Sequence, residues 1–193
     1  MRSPSAARGE GVRRRLLAAA VELIPERGWT AVSTRVLAER AGVTPSVVHY
    51  HFASVQAVLR EAVLGAMRAV SAEVGPVLAA AGTAEEVVDA LVAAVEQYTG
   101  TDPLSLLFVE GYLAATRDEA LRAGIAAVLE GLWREIGERL RRFDVADPDG
   151  TAAVLGAAID GVLMHRAVAP GATSAGVAGV LRRLVSRRKE AER

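Results

Sequence analysis

Residues 33–52, STRVLAERAGVTPSVVHYHF, read as two short helices joined by a tight turn. Ser33 is placed to cap the first, whose inward side carries Leu37, Ala38 and Ala41; Ala38 is small enough for a second helix to cross closely. Gly42 follows the last apolar position, where helices commonly end in the left-handed conformation that glycine adopts cheaply. Val43 then plugs the turn against the core. Thr44 is an N-cap residue and Pro45 suits N1, where a missing N–H costs nothing. Val48 and Phe52, four apart, point inward, which leaves Pro45, Ser46, His49 and Tyr50 outside. A short helix with such a face fits the major groove of DNA, in the manner of a helix-turn-helix.

The run GVTPSVVHYHF, with the helix before it and a basic amphipathic helix before that, resembles the tetracycline-repressor (TetR) family. The likeness covers about the first quarter of the chain. In that family glycine, valine and a small polar residue precede a few variable positions, then tyrosine, any residue, histidine and an aromatic. His51 and Phe52 match; His49 occupies the tyrosine position and Tyr50 follows it. Val55 stands where the family has a phosphate-contacting lysine, so that contact is not offered here.

Charge supports a nucleic-acid partner. The formal net charge is zero, but residues 1–52 hold eight arginines against four glutamates, leaving fifteen basic and nineteen acidic residues to 53–193. A basic head on an acidic body suits phosphate binding at one end and another task at the other. The 193 residues, half of them apolar, suffice for a sizeable core. The absence of cysteine excludes a disulfide scaffold and thiolate zinc, and fits a reducing cytoplasm. No apolar run is expected to reach the roughly 18 to 20 residues of a membrane span, and LLAAAVELIPERG is too amphipathic for a secretory leader.

Periodicity predicts helices throughout and no strand. The first spans about 11–27, with Leu16, Ala20, Leu23 and Ile24 inward, Pro25 loosening its last turn and Trp29 packing between it and the second helix as core filler. Ser54 caps the next long helix, expected over 55–74 and interrupted at Gly75-Pro76. Thr83 with Glu86, and Thr116 with Glu119, read as capping boxes; Gly100 closes one helix, and Asp102-Pro103 opens another. A long helix ends at Arg141, Arg142 and Phe143, DPDG at 147–150 reads as a turn, and two more helices occupy about 151–168 and 174–189 around Pro170-Gly171. The expected fold is all-α: a three-helix DNA-binding head over 1–52 and a six-helix body over 53–193, which is also what the resemblance implies.

The penultimate helix is apolar on nearly every side apart from Asp160 and needs covering on both faces. Leu155, Ile159 and Val162 there, with Val177, Leu181 and Leu184 on the last helix, are the expected dimer interface, completing a four-helix bundle with a second copy. The resemblance implies that homodimer, its two heads spaced for successive major grooves of a palindromic operator, and a body that binds a small effector. The large side chains Met67, Tyr98, Phe108, Tyr112, Trp133, Met164 and His165 are the pocket candidates, for a mainly apolar ligand.

On the head, Arg35 is placed to reach a guanine edge, and Pro45, Ser46 and Val47 face bases, Val47 suiting a thymine methyl. Ser33, Thr34, Thr44, His49 and Tyr50 complete the DNA-binding set, with Thr34, His49 and Tyr50 directed at phosphates. A surface ion pair between Arg35 and Glu39 is the plain alternative for that arginine. Nothing supports catalysis: there is no G-x-S-x-G, H-E-x-x-H or glycine-rich nucleotide loop, and His49 and His51, two apart, cannot share a metal. No cofactor or metal is expected. The reading is a cytoplasmic, ligand-responsive repressor; a helical ligand-binding module whose head serves protein contacts is the alternative.

Overall fold

The computed structural model describes residues 4–169 and 174–186, and among them the regular elements are nine α-helices and one turn of 3-10 helix, Trp29–Ala31. In chain order the helices are α1 (Pro4–Arg27), α2 (Thr34–Ala41), α3 (Pro45–His51), α4 (Val55–Ala80), α5 (Ala84–Glu96), α6 (Pro103–Ala115), α7 (Glu119–Arg141), α8 (Pro148–Arg166) and α9 (Ser174–Val185). The all-helical expectation holds. Pro170 and Gly171, and the expected last turn of α9 beyond residue 186, lie outside the described residues.

Several expected boundaries move, each for a local reason. α1 starts seven residues earlier than periodicity suggested, at Pro4, where a proline in the first turn loses no intrahelical bond. It keeps Pro25 inside and ends at Gly28, whose φ of 80° only glycine takes freely and whose N–H still reaches the Ile24 carbonyl at 2.9 Å. α4 runs straight past Gly75-Pro76 to Ala80. Val74 and Leu78 on either side of the proline are buried, so packing offsets the missing bond. Arg139 then donates to the carbonyls of Ala79 and Ala81, capping that end. By length and composition alone, α4, 26 residues long with an 18-residue stretch of mean hydropathy 1.3, could cross a membrane, contrary to the expectation from the sequence. It nevertheless carries Arg60, Glu61, Arg68 and Glu73.

The caps differ in part from those expected. Ser54 and Thr83 cap as foreseen, at 3.2 Å to Ala57 N and 3.1 Å to Glu86 N, although the Glu86 carboxylate takes the Gly82 N–H rather than that of Thr83. Thr116 does not open α7: its hydroxyl donates to Leu113 O, and Asp118 caps instead, accepting from Leu121 N at 3.0 Å. The DPDG segment is the beginning of α8, with Asp147 as N-cap and Pro148 at N1.

Two compact units form. The first reaches to Arg68 and adds Leu106–Ile125; the second comprises Ala69–Ser105 and the described residues from Ala126 on. This division differs from a boundary at residue 52, because α4 to Arg68 packs with the head. In the first unit, Leu16, Leu23 and Ile24 of α1, Leu37 of α2, Val48 of α3 and Leu59 of α4 are fully buried. In the second, the Val87, Val88, Leu91 and Val92 face of α5 meets Leu155 and Ile159 of α8 and Leu181 and Val185 of α9. Each such side chain contributes about 1.5 to 3 kcal/mol by leaving water.

Candidate functional site

The first candidate surface is the outer side of α2 and α3. Ser33 caps α2, its hydroxyl accepting from Val36 N at 3.3 Å. Gly42 takes the left-handed conformation at φ 65°, and its N–H with that of Val43 closes the end of α2 on the carbonyls of Glu39 and Ala38. Thr44 occupies the N-cap position of α3 without making the capping bond; its hydroxyl pairs with that of Ser46 at 2.9 Å. Val48 and Phe52 are buried, which turns the opposite face out. Pro45, Ser46, His49 and Tyr50 are exposed, Tyr50 to 85%, and Val47 is half-buried. Arg35 is exposed and makes no ion pair with Glu39 among the described residues. A polar rim with an exposed arginine, left open by the described residues of its unit, is what approach to a nucleic-acid groove requires.

The basic run at 13–15 divides by role in a way the sequence did not reveal. Arg13 bonds Glu61 of α4 at 2.6 Å and lies 4.4 Å over the Phe52 ring. Arg15 donates to the Ala41 carbonyl at 3.3 Å. Arg14 alone of the three is left to solvent without a described partner. Two of these arginines therefore hold the reading helices in place. Trp29 is more than filler: its indole N–H donates to Gln56 at 2.9 Å and its backbone N–H to Glu110 at 2.8 Å.

The pocket candidates from the sequence are distributed over the two units. Met67 is buried in the first unit, where Phe108 and Tyr112 are half-buried; Tyr98, Trp133, Met164 and His165 belong to the second. Met164 and His165 are exposed. Trp133 packs against Gly156, where an added Cβ would lie 2.5 Å from the indole nitrogen, and its exposed edge lines a charged cleft with Glu130, Arg134, Glu138, Arg141 and Asp149. Tyr98 borders a mainly apolar cleft.

That cleft, about 320 Å³, lies between Val70, Glu73, Val74 and Val77 of α4 and Ala90, Ala93, Ala94, Gln97 and Tyr98 at the end of α5. Both sets repeat at i, i+3, i+4, i+7, so two helix faces oppose each other, and three alanines on one side leave the space. The legible signal was this alanine spacing, opposite the Val87, Val88, Leu91 face. Large residues mark where a core is filled; small ones mark where it is not. The end of α5 is anchored by Arg166, which donates to the carbonyls of Val95 and Tyr98 at 2.7 and 2.9 Å. Burial raises the Tyr98 phenol above its ordinary pKa, and the negative charges of Glu73 and Asp102 add to the effect.

Of the expected dimer residues, three are covered by their own chain. Leu155 is fully buried within its own chain, and Ile159 and Leu181 retain only 9% and 6% exposure, so none has a face left to offer. Val162 and Val177 are half-buried, and Leu184 is exposed to 46%. The apolar side chains turned outward are Val154 and Met164 on α8, in line with Ala157 and Gly161, and Val180 with Leu184 on α9. The core stripe and the outer stripe were one pattern in a sequence apolar all round.

Comparison with known proteins agrees with this geometry. Residues 16–62 match the family described as bacterial regulatory proteins, tetR family, and residues 82–187 the tetracyclin repressor-like C-terminal domain. No curated protein matches. Among solved structures, a transcriptional regulator from Streptomyces coelicolor A3(2) is 31% identical, with a TM-score of 0.75 over 91% of this chain and 99% of its own. One from Saccharomonospora viridis, in complex with choline, is 22% identical, with a TM-score of 0.75 over 91% of this chain and 96% of its own. The multidrug binding protein EbrR, complexed with imidazole, is 27% identical, with a TM-score of 0.71 over 92% and 97%. With both halves matched and the helix-turn-helix in place, the chain belongs to the TetR family of transcriptional regulators.

Proposed function

We propose that this regulator is a homodimeric repressor that holds a palindromic double-stranded operator and releases it when a small, mainly apolar molecule occupies the α4/α5 cleft. The observation that carries the DNA half is the exposed polar face of α3 over its buried Val48 and Phe52. Arg35, Pro45, Ser46 and Val47 serve base edges; Ser33, Thr34, Thr44, His49 and Tyr50 serve phosphates and position the head. Pairing uses Val154, Met164, Val180 and Leu184, which stand exposed on two neighbouring helices. The relatives complexed with choline and with imidazole support a small-molecule effector. The reading gives the chain no catalytic role and places it in the cytoplasm with its operator.

A mobility-shift assay with the DNA flanking its own gene tests this. Retention should be sequence-specific and fall steeply with salt, as counterions are released. Retention indifferent to sequence would leave the head as a general polyanion binder and end the operator reading.

A further inference from the structure

The α4/α5 cleft is apolar except at one place. Of its nine lining residues only Glu73 is charged, and Glu73 has no hydrogen bond or ion pair among the described residues. Most other carboxylates along α4 and its neighbours are engaged: Glu61 by Arg13, Asp118 by Arg60, Glu110 by Trp29 and Asp89 by Arg182. Tyr98 borders the same cleft, and the Glu73 charge acts on its phenol. The remaining polar lining is Gln97.

We propose that the cleft selects a hydrophobic organic cation, a substituted ammonium whose apolar groups rest on Val70, Val74 and Val77 while its charge lies between Glu73 and the Tyr98 ring. This rests on the reading of the cleft as the effector site and gives that site its ligand class. Each alternative meets a specific cost. An anion is repelled by Glu73. A neutral apolar molecule gains nothing from the carboxylate, which is solvent-exposed and keeps its water. A cation returns both an ionic contact and a contact with the ring face, which strengthens as water leaves. The volume of 320 Å³ sits at the lower end of ligand cavities and suits a compact amine rather than a large drug.

The valines and alanines give such a cation its affinity, and Glu73 gives its selectivity. Tyr98 stays a neutral phenol at physiological pH, since burial and nearby negative charge both hold its proton on. The ring therefore faces the ligand without a competing charge of its own.

The test is titration calorimetry on the DNA-free protein with three aryl probes: benzyltriethylammonium, benzyl alcohol and phenylacetate. The cation should bind at least tenfold more tightly than either other probe. Glu73→Gln should remove most of that preference, and Tyr98→Leu should weaken the cation several-fold while Tyr98→Phe retains it. Ala94→Leu, which fills the cleft, should abolish binding in a protein whose melting temperature is unchanged or raised. Equal binding of the three probes, no binding of any, a Glu73→Gln variant that still prefers the cation, or binding that survives Ala94→Leu would each overturn the proposal. Operator release is measured separately. Cation binding lost in Glu73→Gln but without effect on DNA would leave the ligand class standing and remove the effector reading. Release by neutral compounds, unaltered in Glu73→Gln, would do the opposite.

Discussion

The Glu110 carboxylate on α6 accepts a 2.8 Å hydrogen bond from the backbone N–H of Trp29, 81 residues earlier, in the segment just before α2. Trp29 is buried, so without that acceptor its N–H has no other described partner. Glu110→Ala should cost about 1 to 3 kcal/mol, the usual penalty for a stranded buried donor, with Glu110→Gln losing less than half as much. Chemical denaturation of the two variants beside the parent decides it; equal stability of all three would show that the bond contributes nothing net.

Arg35, exposed and free of Glu39, and Tyr50, almost wholly exposed, should separate base reading from phosphate holding. Arg35→Ala should weaken the cognate site by about 1 to 3 kcal/mol and relax preference at one base pair per half-site. Tyr50→Phe should weaken all sequences alike. Binding curves on single-base operator variants give both answers, and an unaltered preference profile for Arg35→Ala would assign reading to α3 alone.

Two leucines three residues apart on α9 should behave oppositely. Leu184, 46% exposed, should tolerate Leu184→Glu as a fold yet lose the dimer; Leu181, 6% exposed, should lose about 2 to 5 kcal/mol on Leu181→Ala whatever the oligomeric state. Light scattering and thermal melts separate the two. A Leu184→Glu protein that remains dimeric at low micromolar concentration would move the interface elsewhere.

Gly100 has φ 83°, and a Cβ there would lie 2.7 Å from Ala167 N and from Leu163 O, both backbone atoms. Gly100→Ala should therefore cost about 2 to 5 kcal/mol, from left-handed strain together with overpacking. Gly131, with open space around it, should accept alanine and gain slightly from helix propensity. Melting temperatures of the two variants should move in opposite directions.

Asp118 should contribute to acid sensitivity. Burial acts to raise its pKa, but the Leu121 N–H, the Arg60 guanidinium at 3.0 Å and the Ala120 N–H outweigh burial and hold it below the ordinary carboxylate value. A folded-state pKa below the unfolded one means stability present above the unfolded value and lost as pH falls through the folded value. Asp118→Asn should lower stability at neutral pH and flatten the acid limb of the stability curve. An acid limb as steep as the parent's would exclude Asp118 from it.

What the sequence made legible were features set by local chemistry. Gly42, Pro45 and the Val48/Phe52 pair each obey a short-range rule, and the reading helix followed from them. The packing partners of α8 were not legible, because nearly every face of that helix is apolar and periodicity cannot separate a stripe facing its own chain from one facing outward. Pro76 misled for a related reason: proline's local cost is fixed, but the buried Val74 and Leu78 that offset it become visible only in three dimensions. The cleft was legible only at Tyr98, because large side chains stand out in a sequence while its space comes from Ala90, Ala93 and Ala94.

The buried stripe of α9, Ala178, Leu181 and Val185, closes against α5 and α8 of the same chain. This stripe is thus covered without a second copy, and pairing on the proposed outer stripe would be a mass-action step between folded protomers. If the protein pairs as proposed, operator occupancy should vary with the square of protomer abundance when the protein is scarce, so that halving its synthesis lowers occupancy about fourfold in that regime.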